Sequence, residues 1–167
     1  AAGWKGAQEA FQGSQIEVLA FKDTDWSEDK AKVVMSDLIA AYPEIDGIWA
    51  DGGQVTSGAS KALLAAGRPL VPVTGDDYNG LLKLYDQQKD KQPKFDIGLI
   101  SEPTWESVVA LRMALKILNG EEVQKQEIIT PKLITKDNYK DYSRPDLADG
   151  VFCDTNLSDD ELKKIFS

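Results

Sequence analysis

The segment from Tyr42 to Asp77 constrains the fold most strongly, because it contains two strand patterns around one helix pattern. Two short apolar runs, Asp46–Ala50 and Leu70–Thr74, each end in small and acidic residues. The residues between them have helical spacing, and this pattern stops at Gly67. The order strand, loop, helix, strand, loop is the repeating unit of an open α/β sheet. Ligands of such sheets bind at the carboxyl ends of the strands.

The same alternation runs through most of the chain. Short apolar runs typical of buried parallel strands recur at a spacing of about 25 residues, at Ile16–Ala20, Asp46–Ala50, Leu70–Thr74 and Phe95–Ile100. Helical patterns occupy Trp4–Gln12, Ala31–Tyr42, Ala59–Ala66, Leu81–Tyr85, Trp105–Leu118 and Asp159–Phe166. The alternation predicts an α/β fold, a three-layer αβα arrangement around a mostly parallel, doubly wound sheet.

The pattern changes after Gly120. Ile128–Thr135 is typical of an extended segment, and the residues beyond it are polar and irregular until the terminal helix pattern. We expect residues 1–135 to form the ligand-binding α/β domain and residues 136–167 to form a tail with a short helix. Because the chain opens on a helix pattern with no strand before it, we expect it to be part of a longer protein.

Composition excludes several classes of function. The formal net charge of −9 argues against binding to nucleic acid or to an anionic membrane. With one cysteine and no histidine, the chain has neither an intrachain disulfide nor a Ser-His-Asp triad nor a histidine-ligated zinc site. The opening residues lack a signal-peptide pattern, so a targeting segment would have to lie outside this sequence.

Four polar residues follow the two strand patterns of the opening segment, namely Asp51, Gln54, Asp76 and Asp77. One interpretation is turn chemistry and helix capping. A second is binding of ligand hydroxyls, since a carboxylate is a strong acceptor with two oxygens. A third is a Mg²⁺ ion held by Asp76 and Asp77 for phosphoryl transfer, although the chain has no glycine-rich phosphate loop with a lysine.

Trp26 lies in a polar loop after the first apolar run. Its side chain could pack on the helix that follows, as a hydrophobic staple. It could instead present a flat apolar face to a ligand such as a sugar ring. The spacing alone leaves both interpretations open.

Taken together, these segments resemble the type I periplasmic sugar-binding proteins, the ribose and galactose group that supplies ABC transporters. The resemblance runs from about Gly3 to Thr135 and includes Gly6 with Phe11 in the opening helix. It rests on the segments EVLAFKDTDW, YPEIDGIWADGGQ, SGASKALLAAG, PVTGDD and GLISEPTWESVVALRMALKILNG.

The resemblance covers the second of two lobes that are joined by a hinge and bind ligand between them. It implies that this chain is the C-terminal lobe, without the N-terminal lobe, the signal peptide and the lobe's own first strand. That strand would lie between the runs near Ile16 and Ile48. The implied function is reversible binding of a sugar or polyol without catalysis or cofactor, in the periplasm, with transfer to a membrane permease.

The resemblance also implies a set of ligand contacts. Trp26 matches the aromatic stacking position and Asp77 the aspartate that accepts sugar hydroxyls. Gly52 stands where the family often has asparagine, and Ser101 where ribose-type members have glutamine. The predicted ligand-binding residues are Trp26, Asp51, Gly52, Gln54, Asp77 and Ser101.

The same fold occurs in the effector domains of LacI-type transcription regulators. This alternative predicts a helix-turn-helix segment upstream, whereas a transport protein predicts a signal peptide there.

Overall fold

The computed structural model describes residues 2–166, which form helices around a small mixed sheet. In chain order the helices are α1 (Ala2–Phe11), α2 (Glu28–Ala41), α3 (Gly53–Ala65), α4 (Asn79–Gln88), α5 (Glu106–Leu118) and α6 (Asp159–Ile165). The strands are β1 (Val73–Asp76), β2 (Ile97–Ile100) and β3 (Leu133–Thr135), and a 3₁₀ turn covers Tyr139–Asp141. The predicted α/β class is confirmed.

The sheet has the order β1-β2-β3. Strands β1 and β2 are parallel, with Val73 opposite Ile97, and β3 is antiparallel to β2, with Ile134 opposite Leu99. A single parallel bridge joins Ile48 to Val73 at the other side of β1. The parallel pair places the ends of β1 and β2, and the loops that follow them, at one edge of the sheet.

The predicted strand at Ile16–Ala20 is wrong. Residues 16–20 have no strand structure, and Ile16 is 58% exposed. A strand requires a neighbour to pair with its backbone N–H and C=O groups. Within residues 2–166 no segment lies beside residues 16–20 in a ladder, and Val73 is the bridge partner of Ile48. The apolar run therefore stays unpaired.

The other predicted strands are shorter or displaced. At Asp46–Ala50 pairing is reduced to the bridge at Ile48, because the Thr74 hydroxyl bonds both the N–H (3.0 Å) and the C=O (2.8 Å) of Ala50. Strand β1 begins at Val73, not at Leu70, since Pro72 has no N–H for a ladder. The predicted Phe95–Ile100 strand begins two residues later, at Ile97.

The helix predictions from periodicity are confirmed, with changes at the ends. Ser27 caps α2, as predicted, and its hydroxyl accepts a hydrogen bond from the N–H of Lys30 at 3.3 Å. Helix α3 begins at Gly53, earlier than the apolar pattern suggested. It is closed by Gly67, whose φ of +67° favours glycine.

One apolar core joins α2, α3, α4 and the sheet. Helix α2 buries Ala31 and Met35 and packs mainly against α3. Further core side chains are Leu63, Leu70, Val73, Leu81, Leu82, Tyr85, Phe95, Ile97, Leu99, Ile134 and Tyr139. The strands that lead to the candidate site are therefore fixed by close packing in this core.

Helix α5 differs from the others because none of its residues is buried. Leu111, Leu115 and Leu118 on this helix are exposed, and so are Ile100 and Leu133 on the sheet. Within the described residues, no helix is both long and apolar enough to cross a membrane.

The tail is fastened to the α/β core by Asn79, which is fully buried at the start of α4. Its amide nitrogen donates to the carbonyls of Arg144 (2.8 Å) and Ala148 (3.0 Å), and its amide oxygen accepts from the N–H of Arg144 at 2.9 Å. The backbone N–H of Asn79 donates to the carbonyl of Val151 at 2.8 Å. These bonds hold the tail beside the residues that follow β1.

Candidate functional site

A cavity of about 410 Å³ lies at the carboxyl ends of β1 and β2. Its lining consists of aromatic and acidic side chains with one amide, namely Trp26, Asp51, Gln54, Asp76, Glu102 and Phe152. This volume is within the range of small-molecule sites. The structure thus brings together three of the predicted ligand residues, Trp26, Asp51 and Gln54.

Trp26 forms an exposed aromatic wall of the cavity, with 62% of its surface accessible. It and Asp25 adopt left-handed backbone conformations, with φ of +50° and +49°. Such a conformation is unusual for a bulky residue and is often found at functional sites. Gly52, the N-cap of α3, lies directly against the indole, since a Cβ atom at this position would be 3.0 Å from Trp26 Cδ1.

Asp76 is the last residue of β1, and its carboxylate fixes the start of α3. Its Oδ1 accepts hydrogen bonds from the N–H groups of Gly53 (2.9 Å) and Tyr78 (3.1 Å). This close approach requires glycine, because a Cβ atom on Gly53 would be 2.7 Å from Asp76. Burial raises the pKa of Asp76 to about 7. The nearby charges of Glu102 and Asp77 also raise this pKa, whereas the two hydrogen bonds lower it.

Asp77 does not line the cavity. It is fully buried, and Oδ1 accepts from the N–H of Glu102 at 2.8 Å while Oδ2 accepts from the N–H of Asp154. Burial raises the pKa of Asp77, and the two backbone N–H groups oppose this rise. In this arrangement the carboxylate positions the loop after β2 and the tail, and its role as a ligand residue stays a prediction.

Ser101 also lies behind the cavity wall. It is buried, and its hydroxyl accepts a hydrogen bond from the N–H of Lys132 at 2.9 Å. The next residue, Glu102, is exposed and lines the cavity. Burial and the charges of Glu106, Asp77 and Asp51 raise the pKa of Glu102.

Three lining residues, Asp76, Glu102 and Phe152, are not in the predicted ligand set. Asp76 ends β1 and Glu102 lies two residues after the end of β2, so the rule that placed Asp51 in the set would also have found them. Phe152 arrives from the tail, where an antiparallel bridge pairs it with Tyr78, and the two rings are 6.4 Å apart. No local pattern signals this contact.

The cavity lining offers mainly hydrogen-bond acceptors and aromatic faces, with the Gln54 amide and the Trp26 indole N–H as donors. Its carboxylates and amide oxygen accept from hydroxyl or ammonium groups, and its two aromatic rings offer apolar faces. Within residues 2–166, no group of three or more acidic or cysteine side chains is arranged to hold a metal ion. Asp77 is fully buried and does not line the cavity, so Asp76 and Asp77 do not face a shared ion site there.

The comparison with protein families matches residues 4–122 to the periplasmic binding protein domain. The chain belongs to this family. The periplasmic binding protein domain thus covers the cavity walls from Trp26 to Glu102, whereas Phe152 lies beyond the matched residues. This is a family of binding proteins and not of enzymes.

Two relatives illustrate the similarity. The ribose import binding protein of Salmonella typhimurium is 29% identical over 133 residues, which cover 79% of this chain and 43% of that protein. The xylitol-binding protein of Mycolicibacterium smegmatis is 32% identical over 126 residues, covering 74% of this chain and 34% of that protein. The chain therefore spans less than half the length of these relatives.

Solved structures show the same fold. A periplasmic solute-binding protein of an ABC transporter from Actinobacillus succinogenes, with bound D-allose, has a TM-score of 0.67 and 28% identity, covering 82% of this chain and 48% of that one. A solute-binding protein from Bacillus halodurans, with bound myo-inositol, has a TM-score of 0.72 at 21% identity, covering 83% and 47% of the two chains. These likenesses confirm the predicted type I periplasmic binding protein fold.

Proposed function

We propose that this chain binds a sugar or a similar polyol at the cavity between Trp26 and Phe152. The observation that carries the proposal is the position of this cavity, at the carboxyl ends of parallel strands in a periplasmic binding protein domain. Acceptor oxygens beside aromatic faces suit a ring with hydroxyl groups on its edge and C–H groups on its faces.

A complete binding site needs a second wall opposite Trp26. Ligand sites normally bury most of a small ligand's surface, but the Trp26 wall is largely exposed. The chain also spans only 43% of the ribose import binding protein that it resembles. We propose that another lobe closes over the cavity, and that the closed form delivers its solute to an ABC permease on the outer side of the membrane, without catalysis.

The relatives favour transport over transcriptional regulation. The ribose import binding protein and the xylitol-binding protein are solute binders, and the D-allose complex belongs to an ABC transporter. Similarity to solute-binding proteins is what a transport role predicts, and it favours transport over the LacI-type alternative. The phosphoryl-transfer alternative is not favoured, because Asp77 is fully buried and does not line the cavity beside Asp76.

The test is a titration followed by NMR, which detects weak binding. The ¹⁵N-labelled chain has four indole N–H signals, of which Trp26 reports the cavity, whereas Trp4 and Trp49 contact each other outside its lining. We expect D-ribose, D-allose, xylitol or myo-inositol to shift the Trp26 signal in a saturable way. Trp105 does not line the cavity, so its signal should move less.

The matched variant is Trp26→Asn. Asparagine tolerates the left-handed backbone at this position, so the variant removes the aromatic face with little strain. We expect the shifts of cavity residues to disappear in Trp26→Asn and to persist in Trp105→Phe. Equal shifts in both variants would rule out stacking on Trp26.

A further inference from the structure

The cavity has an unbalanced charge. Asp51, Asp76 and Glu102 supply three carboxyl groups, and the lining contains neither lysine nor arginine. The described residues form no ion pair with any of these three side chains. Neighbouring lysines are engaged elsewhere, Lys61 with Glu28 at 2.5 Å and Lys132 with Asp154 at 2.8 Å.

Several acceptors of the cavity lining have no hydrogen-bond donor among the described residues. Within residues 2–166, no group donates a hydrogen bond to the carboxylates of Asp51 and Glu102, and Asp76 uses only its Oδ1. The Oε1 atom of Gln54 is buried without a hydrogen-bond partner among the described residues. A buried acceptor without a donor is costly, so Gln54 Oε1 points to a ligand with hydrogen-bond donors, and the exposed carboxylates of Asp51 and Glu102 are free to accept from the same ligand.

The aromatic lining favours the same type of ligand. The faces of Trp26 and Phe152 stack on C–H groups, and they also attract a cation, tryptophan more strongly than other rings. A neutral sugar satisfies the acceptors but leaves the negative charge unbalanced. An acidic sugar brings a further negative charge into a cavity that already contains three carboxyl groups.

We propose that the solute bound at this cavity is a sugar or polyol with a protonated amino group, which lies among Asp51, Asp76 and Glu102. This inference rests on the proposed function, since it specifies the ligand of the same site. An ammonium donates three hydrogen bonds, and bonds between charged groups are the stronger ones. The site would therefore prefer amino sugars to neutral sugars, and neutral sugars to acidic ones.

The test compares matched ligands by NMR titration of the full 167-residue chain near neutral pH. D-glucosamine, D-glucose and D-glucuronate form one series, and D-galactosamine, D-galactose and D-galacturonate form the second. We expect the amino sugar of at least one series to bind about tenfold more tightly than its neutral parent, the difference between a charged and a neutral hydrogen bond. The acidic sugar should bind most weakly.

A control addresses general attraction to an acidic chain. Methylammonium has the charge without the sugar ring, and it should shift the Trp26 signal far less than an amino sugar. Equal shifts would overturn the proposal, because the net charge of −9 would then explain the preference.

The matched variants remove two charges either inside or outside the cavity. Asp51→Asn with Glu102→Gln should abolish the preference for the amino sugar. Asp46→Asn with Glu44→Gln removes the same charge from exposed positions outside the lining and should preserve it. A preference that survives the first pair overturns the proposal.

The remaining outcomes separate this inference from the proposed function. If neutral and amino sugars bind equally well, the sugar-binding function stands and the amine preference is wrong. If no sugar of either series, and none of the solutes of the relatives, shifts the Trp26 signal, the proposed function itself fails.

Discussion

At the residue scale, Asp77 is expected to stabilise the fold through two backbone contacts. Asp77→Asn keeps one acceptor oxygen but places an amide N–H₂ group against a backbone N–H of Glu102 or Asp154. We expect the free energy of unfolding to fall by about 1–3 kcal/mol, the range for a lost buried hydrogen bond to a charged group. Urea denaturation measures this change.

The control for this prediction is Asp51→Asn. Asp51 is exposed, so its replacement should change the free energy of unfolding by less than about 0.5 kcal/mol. If Asp77→Asn is equally neutral, the loop after β2 and the tail do not depend on this carboxylate.

Asp76 makes the stability depend on pH. Its pKa is raised from 3.8 to about 7, so between these values the folded state binds more protons than the unfolded state. The free energy of unfolding must therefore fall as the pH rises from about 4 to about 7, by up to about 4 kcal/mol for this one group. Asp77, whose pKa is also raised, acts in the same direction.

The variant Asp76→Asn tests this dependence. Asparagine retains an oxygen for the N–H groups of Gly53 and Tyr78 but does not titrate. Denaturation at several pH values should give a flatter slope for the variant than for the original chain. An unchanged slope would mean that other groups cause the pH dependence.

The sequence predicted some of the residues that line the cavity but not all of them. Trp26, Asp51 and Gln54 were found because each follows a strand pattern and has suitable chemistry. Asp77 was assigned to the ligand because it matches the family's aspartate, and this role stays a prediction. In the structure its neighbour Asp76 lines the cavity, and the sequence alone does not show which of two adjacent carboxylates does so.

At the element scale, Asn79 is expected to hold the tail in place. Asn79→Ala removes four hydrogen bonds between a fully buried side chain and the segment from Arg144 to Ala148. We expect at least about 2 kcal/mol of destabilisation and faster hydrogen exchange in residues 144–154. Asn156→Ala, at an exposed position, is the matched control. Unchanged exchange in residues 144–154 of Asn79→Ala would contradict this role.

Helices were easier to predict than strands for a physical reason. A helix satisfies its own backbone, so the apolar spacing of residues 31–42 and the Ser27 cap suffice to define α2. A strand depends on its neighbours. The run at residues 16–20 has the right composition but no pairing partner within residues 2–166. At residues 46–50 the Thr74 hydroxyl takes the place of a backbone partner.

At the scale of the whole molecule, the exposed cavity predicts weak binding by this chain alone. One wall buries only part of a sugar, and closure of a second lobe would exclude water and strengthen the polar contacts. We expect dissociation constants in the millimolar range for the 167-residue chain, measured by NMR titration. Micromolar binding by the monomeric chain would show that a second lobe is not needed.

The most direct test of the central claim is a crystal structure of the chain in a saturating concentration of a sugar that shifts the Trp26 signal. The account predicts density for the sugar ring against the Trp26 indole, with hydrogen bonds from its hydroxyl groups to Asp51 or Asp76. Sugar bound elsewhere, or an empty cavity in a crystal in which no neighbouring molecule blocks it, would contradict the account.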